Sequence, residues 1–266
     1  MATNRMRNEQ TQSPATSVSK SGPRGLRELA MFGIVDLLYD AGRWVAAGRL
    51  PVARAHADWV THLERSLHVA DEGGIRHALD EGVASMLLAN IYLAAQLVVL
   101  PGALIWIYRR AGGVYRQLRN TVVISWLIAV PVFAAFPVAP PRLAQVGIDD
   151  TVSKQTAFSL TGHSTIFYNP YAAVPSLHVG FAFTIGVALA ATVRTRWIRP
   201  LALCWGPLVT LAVIATGNHY FFDAVAGLIV SGLAFAAGRA VDRLIHRRTP
   251  SGARGRFDPV VVTSQP

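Results

Sequence analysis

Long apolar runs, separated by short polar segments that carry arginine, dominate the chain. An α-helix needs roughly 20 mostly apolar residues to cross the hydrocarbon core of a bilayer. Five runs reach or approach that length: Val83–Tyr108, Val122–Val138, Val174–Val193, Pro200–Thr216 and Phe221–Ala240. The pattern predicts an all-α fold, a polytopic membrane bundle of about six transmembrane helices once a weaker run is included.

The weaker run is Leu29–Ala47, which contains three charged residues. Asp36, Asp40 and Arg43 recur at helical spacing and would share one face of a helix. Charges inside a membrane usually face the interior of a bundle, which favours a span over an amphipathic helix on the surface. The following stretch, residues 48–82, mixes charges with apolar positions at helical spacing, which predicts a helix lying on the membrane surface.

Composition supports this division of the chain. Only 15% of the 266 residues are charged, whereas a soluble domain has about 25%. The two ends, residues 1–25 and 247–266, are polar and predict disordered tails. Between them, residues 26–246 form the predicted membrane domain, with its active-site part at about 139–227. The single cysteine, Cys204, excludes a disulfide within the chain and a thiolate metal site.

The formal net charge of +10 reflects arginines at the ends of apolar runs and in the tails. No basic stripe carries interleaved aromatic residues, so a nucleic-acid partner is not expected. With six crossings, the arginine-rich loops and both termini fall on one side, which the positive-inside rule makes cytoplasmic. Residues 48–82, residues 139–173 and the turn Gly217–Tyr220 then lie on the extracytoplasmic side of the cell membrane.

Three groups of polar residues lie where predicted helices meet that outer side. They are Pro140-Pro141-Arg142, then Asn169-Pro170-Tyr171 followed by Pro175-Ser176-Leu177-His178, and Asn218-His219 with Asp223. Each group also has a purely structural interpretation. Arg142 could anchor the chain at the interface, His178 could be a polar interfacial residue, and His219 and Asp223 could simply satisfy each other's hydrogen bonds. Their convergence at one end of a bundle favours a common pocket and a chemical role.

The spacing within the groups predicts specific roles. His219 and Asp223 are four residues apart and share one helical face, so the carboxylate can fix the tautomer of the imidazole and leave a basic, nucleophilic nitrogen. His178 follows Pro175 at a predicted helix start, whose free N–H groups suit an anion, and it could donate a proton to a phosphate ester. The guanidinium of Arg142 offers paired donors to a phosphate.

The motifs around His178 and His219 resemble the type-2 phosphatidic acid phosphatase superfamily. They are Asn169-Pro170-Tyr171-Ala172-Ala173-Val174-Pro175-Ser176-Leu177-His178 and Gly217-Asn218-His219-Tyr220-Phe221-Phe222-Asp223. The most similar branch is the inositolphosphotransferase-like one, related to inositol phosphorylceramide synthases. The resemblance covers roughly Leu29–Ala240 and is most specific over Pro140–Gly227.

The resemblance implies a metal-independent mechanism without a cofactor, acting on a membrane lipid in the bilayer. His219 would attack phosphorus and form a phosphohistidine, Asp223 would orient it, and His178 would serve as acid and then as base. The residues expected to contact the substrate are Arg142, Ser176, Asn169, Tyr171 and Asn218. His163, in Thr161-Gly162-His163-Ser164, is excluded because no apolar helix directly follows it.

The chain departs from the phosphatase pattern in its cations. The first motif is represented only by Arg142, and the stretch Val213–Asn218 ahead of His219 has no arginine. Fewer cations suit a singly charged phosphodiester, which favours a lipid phosphotransferase, for example one moving inositol phosphate from phosphatidylinositol. Hydrolysis of lipid or polyprenyl phosphates is the alternative. A transporter, with Asp36 and Asp40 lining its path, is an alternative from another class.

Overall fold

The computed structural model describes residues 22–46, 50–69, 83–144 and 171–248. Within these ranges the regular structure is helical, apart from an isolated bridge between Val138 and Ala172. The helices are α1 (Gly22–Ala46), α2 (Leu50–Ser66), α3 (Val83–Ala94), α4 (Leu100–Arg110), α5 (Gly112–Ala135), α6 (Leu177–Thr192), α7 (Ile198–Leu203), α8 (Trp205–Ala215) and α9 (Phe221–Arg248). A π-helical turn, Ala95–Val99, joins α3 to α4.

Four helical runs are long and apolar enough to cross a membrane: Val83–Arg110, Gly112–Ala135, Ile198–Ala215 and Phe221–Leu244. The helix α6 is shorter, with 16 residues, but it is apolar throughout most of its length. The predicted all-α membrane bundle is therefore confirmed, and the count of six spans is approximate. The predicted tails lie almost wholly outside the described residues.

The weaker predicted span forms the 25-residue helix α1, which packs along α5. Glu28 forms an ion pair with Arg119 at 2.8 Å, and Phe32 meets Trp126 edge-on at 6.2 Å between ring centroids. Both helices therefore run in the same direction. The side chains of Asp36, Asp40 and Arg43 lie outside the described part of the chain, so their bundle-facing placement stays a prediction.

The apolar runs Val83–Tyr108 and Val122–Val138 predict an arginine-bearing loop between them, and that prediction is wrong. The helix α5 begins at Gly112, ten positions before the predicted Val122, and only Ala111 separates it from α4. Arg116 and Arg119 are consequently helical. Hydropathy marks only the part of a helix inside the hydrocarbon, whereas arginine is a good helix former and extends the helix beyond it.

The central helix α6 contacts α5, α8 and α9. Small residues allow its close approach to α9. A Cβ atom added at Gly227 would collide with the carbonyl oxygen of Ser176, and one added at Gly180 would collide with the Ser231 hydroxyl. The N-terminal ends of α6 and α9 therefore lie side by side, with almost no room for side chains between the two backbones.

The amphipathic helix α2 covers the end of the bundle where α6 and α9 begin. One of its faces is buried and consists of Ala53, Ala57, Val60 and Glu64. The Ala139 N–H, just beyond α5, donates to the Ala53 carbonyl at 3.0 Å. The predicted helix after Ala47 is thus present, and it packs onto the protein with a full face.

The histidines of this segment differ in their environment. His62 and His68 are exposed, as expected of surface residues, and His77 lies outside the described residues. A helix lying on the membrane surface predicts exposed histidines, and for His56 this prediction is wrong, because the residue is half-buried. Its ring stacks on Phe136 with centroids 4.2 Å apart, and its Nδ1 lies 2.8 Å from the Pro137 carbonyl oxygen. The reason is that α2 docks against the segment following α5.

Candidate active site

A tight turn between α8 and α9 presents His219. Gly217 has a φ of 66°, in the left-handed region that glycine adopts without strain. Its N–H donates to the Ile214 carbonyl at 2.9 Å, and the Asn218 N–H donates to the Val213 carbonyl at 3.0 Å. This is a Schellman motif, which ends α8 and satisfies its last carbonyls. The predicted turn Gly217–Tyr220 is confirmed, and its geometry fixes where the chain re-enters the bundle.

His219 is held by two acceptors on one side of its ring. Its Nδ1 lies 2.9 Å from the Ala173 carbonyl oxygen and 3.3 Å from Asp223 Oδ2. A carbonyl oxygen can only accept a hydrogen bond, so Nδ1 carries the proton and donates it. Nε2 is consequently the unprotonated nitrogen of the neutral ring. The spacing of His219 and Asp223 along the sequence predicted this pairing.

Asp223 is fully buried and has a second role at the start of α9. Its Oδ2 accepts the N–H of Tyr220 at 2.9 Å. Tyr220 directly precedes the helix, and Asp223 is the third helical residue, so this contact is the returning half of a capping box. The same carboxylate oxygen therefore holds both the helix start and the histidine ring.

His178 lies at the start of α6, facing the same space. Its ring centroid is 5.9 Å from that of His219, and the two ring planes are tilted by 51°. On its other side, the ring of Tyr92 from α3 stacks on His178 at 4.5 Å with an interplanar angle of 23°. The structure thus brings together His178, His219 and Asp223, the three residues for which the sequence predicted catalytic roles.

The predicted substrate-contacting residues are distributed around this pair. The backbone N–H of Arg142 donates to the Gly217 carbonyl at 3.1 Å, so this arginine lies beside the turn that carries His219. Ser176 is fully buried as the N-cap of α6, and its hydroxyl accepts from the Val179 N–H at 3.5 Å. Its own N–H donates to the Asp223 carbonyl at 3.0 Å.

Two more of these residues belong to the framework of the site. The Asn218 amide is buried and donates to the Thr216 hydroxyl at 2.8 Å, which stabilises the turn. The Tyr171 carbonyl accepts the Val138 N–H at 2.9 Å. This hydrogen bond joins the segment that follows α5 to the segment that precedes α6. Asn169 and His163 lie outside the described residues. Contact with a substrate stays a prediction for the side chains of Arg142, Ser176, Asn169, Tyr171 and Asn218.

Sequence reasoning missed two side chains at the site. Tyr92 is 5% exposed within an apolar span, where a tyrosine is a signal because its hydroxyl needs a polar partner. Glu64 is 2% exposed on α2, and its Oε1 accepts the Phe222 N–H at 2.6 Å. Phe222 is in the first turn of α9, so Glu64 satisfies one of the N–H groups that have no partner inside the helix.

Fold and site together define a polytopic membrane protein with a histidine-centred site at one end of its bundle. A family model described as the PAP2 superfamily matches residues 58–237, more than half of the chain, and the chain therefore belongs to that superfamily. The predicted superfamily is confirmed, and membership suggests lipid phosphatase or phosphotransferase activity. No curated protein and no solved structure matches the chain.

Proposed function

We propose that the protein is a lipid phosphotransferase that moves a phosphodiester-linked head group, such as inositol phosphate from phosphatidylinositol, onto an acceptor hydroxyl. The observation that carries the proposal is the environment of His219. Its Nδ1 donates to Ala173 and Asp223, which leaves the Nε2 lone pair as a nucleophile, and His178 lies across from it at 5.9 Å between ring centroids.

In the first half of the reaction, Nε2 of His219 attacks phosphorus, and the bond from phosphorus to the lipid oxygen breaks. Protonated His178 donates its proton to that departing oxygen, which becomes the free hydroxyl of the lipid product. The phosphoryl group, still carrying its head group, is then bonded to His219. Asp223 stabilises the positive charge that develops on the imidazole.

In the second half, an acceptor hydroxyl attacks phosphorus, and the phosphorus–nitrogen bond breaks. Neutral His178 takes the proton of the attacking hydroxyl, so both histidines return to their starting states. Water in place of the acceptor hydroxyl would complete a hydrolysis instead. The same residues therefore serve a phosphatase of lipid or polyprenyl phosphates, which is the second candidate function.

The charge around the turn favours the transfer of a diester. Val213, Ile214 and Ala215 precede His219 on α8 and are buried in an apolar cluster, so this segment supplies no cation. Arg142 is the arginine whose backbone is bonded to the turn. One guanidinium matches the single negative charge of a phosphodiester better than the double charge of a monoester.

The arginine distribution supports an extracytoplasmic site. Arg194 and Arg196 follow α6 at the end of the bundle opposite to His178, and Arg109 and Arg110 end α4 at that same opposite end. Cytoplasmic loops carry the excess of arginine in membrane proteins. We infer that both termini are cytoplasmic and that the substrate comes from the outer leaflet of the cell membrane.

The test is a lipid turnover assay on the purified full chain in detergent. It offers phosphatidylinositol with lipid acceptors, and separately a panel of lipid phosphate monoesters. The matched variants are His219→Ala and His62→Ala, because His62 is an exposed histidine on α2. We expect a new phosphorylated lipid from the unmutated protein and from His62→Ala, and none from His219→Ala.

Two other outcomes have defined meanings. Inorganic phosphate released from monoesters, with no head-group transfer, would overturn the transferase in favour of the phosphatase. Turnover that survives in His219→Ala would contradict the nucleophile itself. A direct check is the acid-labile, alkali-stable label expected on His219 when the phosphorus of the donor lipid is radioactive.

A further inference from the structure

A cavity lies at the end of the bundle opposite to His219. Its volume is about 730 Å³, and it is bounded by the start of α1, the end of α4 and the start of α5. Arg116 belongs to the first turns of α5, whereas Arg142 follows its last turn. Since α5 continues from Arg116 to Ala135, at about 1.5 Å per residue the two sites lie roughly 30 Å apart.

Three arginines line this cavity together with a single carboxylate. Glu28 is committed to internal contacts, because its Oε1 pairs with Arg119 at 2.8 Å and its Oε2 accepts from the Tyr115 hydroxyl at 2.8 Å. Arg27 and Arg116 are exposed, and neither has an ion pair with another described residue. The cavity therefore carries about two positive charges that the described protein does not neutralise.

The walls of the cavity are built before any ligand arrives. The Glu28 carboxylate holds Arg119 and Tyr115 in fixed positions, and Tyr115 is 5% exposed. Tyr108 meets Tyr115 edge-on with ring centroids 4.9 Å apart. A volume of several hundred Å³ is the size that small ligands and lipid head groups occupy.

The surroundings of the cavity are those of a lipid. Leu26 and Leu29 flank the charged pair Arg27-Glu28 on α1, and their side chains are about 70% exposed, in a helix that packs on a membrane-spanning neighbour. Acyl chains can lie against these leucines while a phosphate reaches the arginines. Basic pockets between transmembrane helices bind the head groups of anionic lipids in this way.

We propose that this cavity binds the phosphate-containing head group of an anionic glycerophospholipid from the leaflet opposite to the candidate active site. Zwitterionic lipids carry an ammonium group that the uncompensated arginines repel, so the site selects lipids with net negative charge. This binding site is independent of the proposed reaction, because none of its residues contacts His178 or His219. It ties the start of α1 to α4 and α5 through the bound lipid.

The test is native mass spectrometry of the purified full chain with added phosphatidylglycerol or phosphatidylcholine. The double variant Arg27→Gln/Arg116→Gln removes the two free charges, and Arg194→Gln/Arg196→Gln removes two exposed arginines elsewhere at the same end. We expect the first to weaken phosphatidylglycerol binding by roughly 30-fold, as removal of two charges near a phosphate predicts. The second should leave it within about twofold.

A further variant, Met31→Trp, narrows the cavity without changing its charge and guards against a folding defect of the arginine variant. Met31 lines the cavity from α1. We expect Met31→Trp to weaken binding of the lipid while keeping the unfolding temperature of the lipid-free protein. Equal binding of phosphatidylcholine, or an equal loss in both arginine variants, would show that the arginines only orient the protein and would overturn the site.

The last arm distinguishes a lipid from a free anion. Inorganic phosphate or glycerol phosphate at millimolar concentration should fail to displace phosphatidylglycerol, because neither offers acyl chains to Leu26 and Leu29. Displacement by either soluble anion at that concentration would overturn the assignment to a lipid.

Discussion

His178 and His219 are distant in the sequence, yet their ring centroids lie 5.9 Å apart. Two backbone features hold them there. The Ser176 N–H donates to the Asp223 carbonyl at 3.0 Å, and the absence of a side chain at Gly227 lets α9 touch the Ser176 carbonyl. The position of the predicted acid relative to the predicted nucleophile is therefore fixed by the packing of α6 on α9.

Replacing Asp223 with Asn tests the role of its charge. An amide oxygen can still accept the Tyr220 N–H, so the helix start is preserved, but an amide does not stabilise a positively charged His219. We expect kcat to fall about 10²–10⁴-fold with KM little changed. The measurement is steady-state lipid turnover together with the unfolding temperature. Activity within about threefold of the unmutated protein would contradict an electrostatic role for Asp223.

The close packing of α6 on α9 gives a second prediction. Gly227→Ala places a Cβ against the Ser176 carbonyl, which cannot move without displacing the start of α6. We expect a lower unfolding temperature, equivalent to about 1–3 kcal/mol, and a clear loss of turnover because His178 and His219 separate.

Gly232→Ala is the matched control, since a Cβ added there meets nothing within 4 Å. Alanine also favours a helix over glycine by up to about 1 kcal/mol, so this variant should be as stable as the unmutated protein or more stable. Equal behaviour of the two variants would show that the helices do not approach as closely as described.

Glu64 provides a prediction for a residue that positions the site through α9. Glu64→Ala leaves the N–H of Phe222 without its acceptor, at a cost of about 1–3 kcal/mol. Glu64→Gln keeps an oxygen in that place, so we expect it to restore most of the stability and of kcat, with an unchanged KM in both variants.

The control for Glu64 is Asp58→Ala, because Asp58 is an exposed acid on the same helix and should tolerate the change within about 0.5 kcal/mol. If Glu64→Gln were as damaging as Glu64→Ala, the charge of Glu64 and not its capping of α9 would matter. Thermal unfolding and lipid turnover, measured side by side, separate these two explanations.

Much of the bundle was predictable because a helix that crosses the hydrocarbon of a membrane must be apolar over most of its length. The pair His219 and Asp223 was predictable as well, because a separation of four residues defines one helical face regardless of the rest of the fold. The turn at Gly217 followed from the same stretch. These features depend on neighbours in the sequence, which a single chain displays.

The features that were missed depend on distant segments. Glu64 reaches the first turn of α9 only because α2 docks across the end of the bundle. In the sequence, the only sign of this docking is the amphipathic pattern of α2, which does not identify the helix that it contacts. The Ala173 carbonyl, which holds Nδ1 of His219, is a backbone atom that every residue possesses. The early start of α5 was missed because hydropathy does not report helical residues outside the hydrocarbon.

The sidedness of the site gives a further prediction. Cys204 is first replaced by Ser, and a single cysteine is then introduced as Ser66→Cys or Thr195→Cys, both at exposed positions. Ser66 ends α2 at the His219 end of the bundle, and Thr195 follows α6 at the other end. We expect an impermeant maleimide to label the first in intact cells and the second only after permeabilisation. The reverse pattern would make the site cytoplasmic.

Two carboxyl groups contact the start of α9, that of Asp223 within the helix and that of Glu64 from α2, and they make the two sides of the site electrically different. The N-terminus of a helix carries about half a positive charge, and at α9 the N–H groups of Tyr220 and Phe222 are already occupied by Asp223 and Glu64. The first turn of α6 has no acidic residue, so its positive end remains effective. We therefore expect an incoming phosphate to lie nearer to α6 and His178, with its leaving oxygen on that side and its opposite face toward His219.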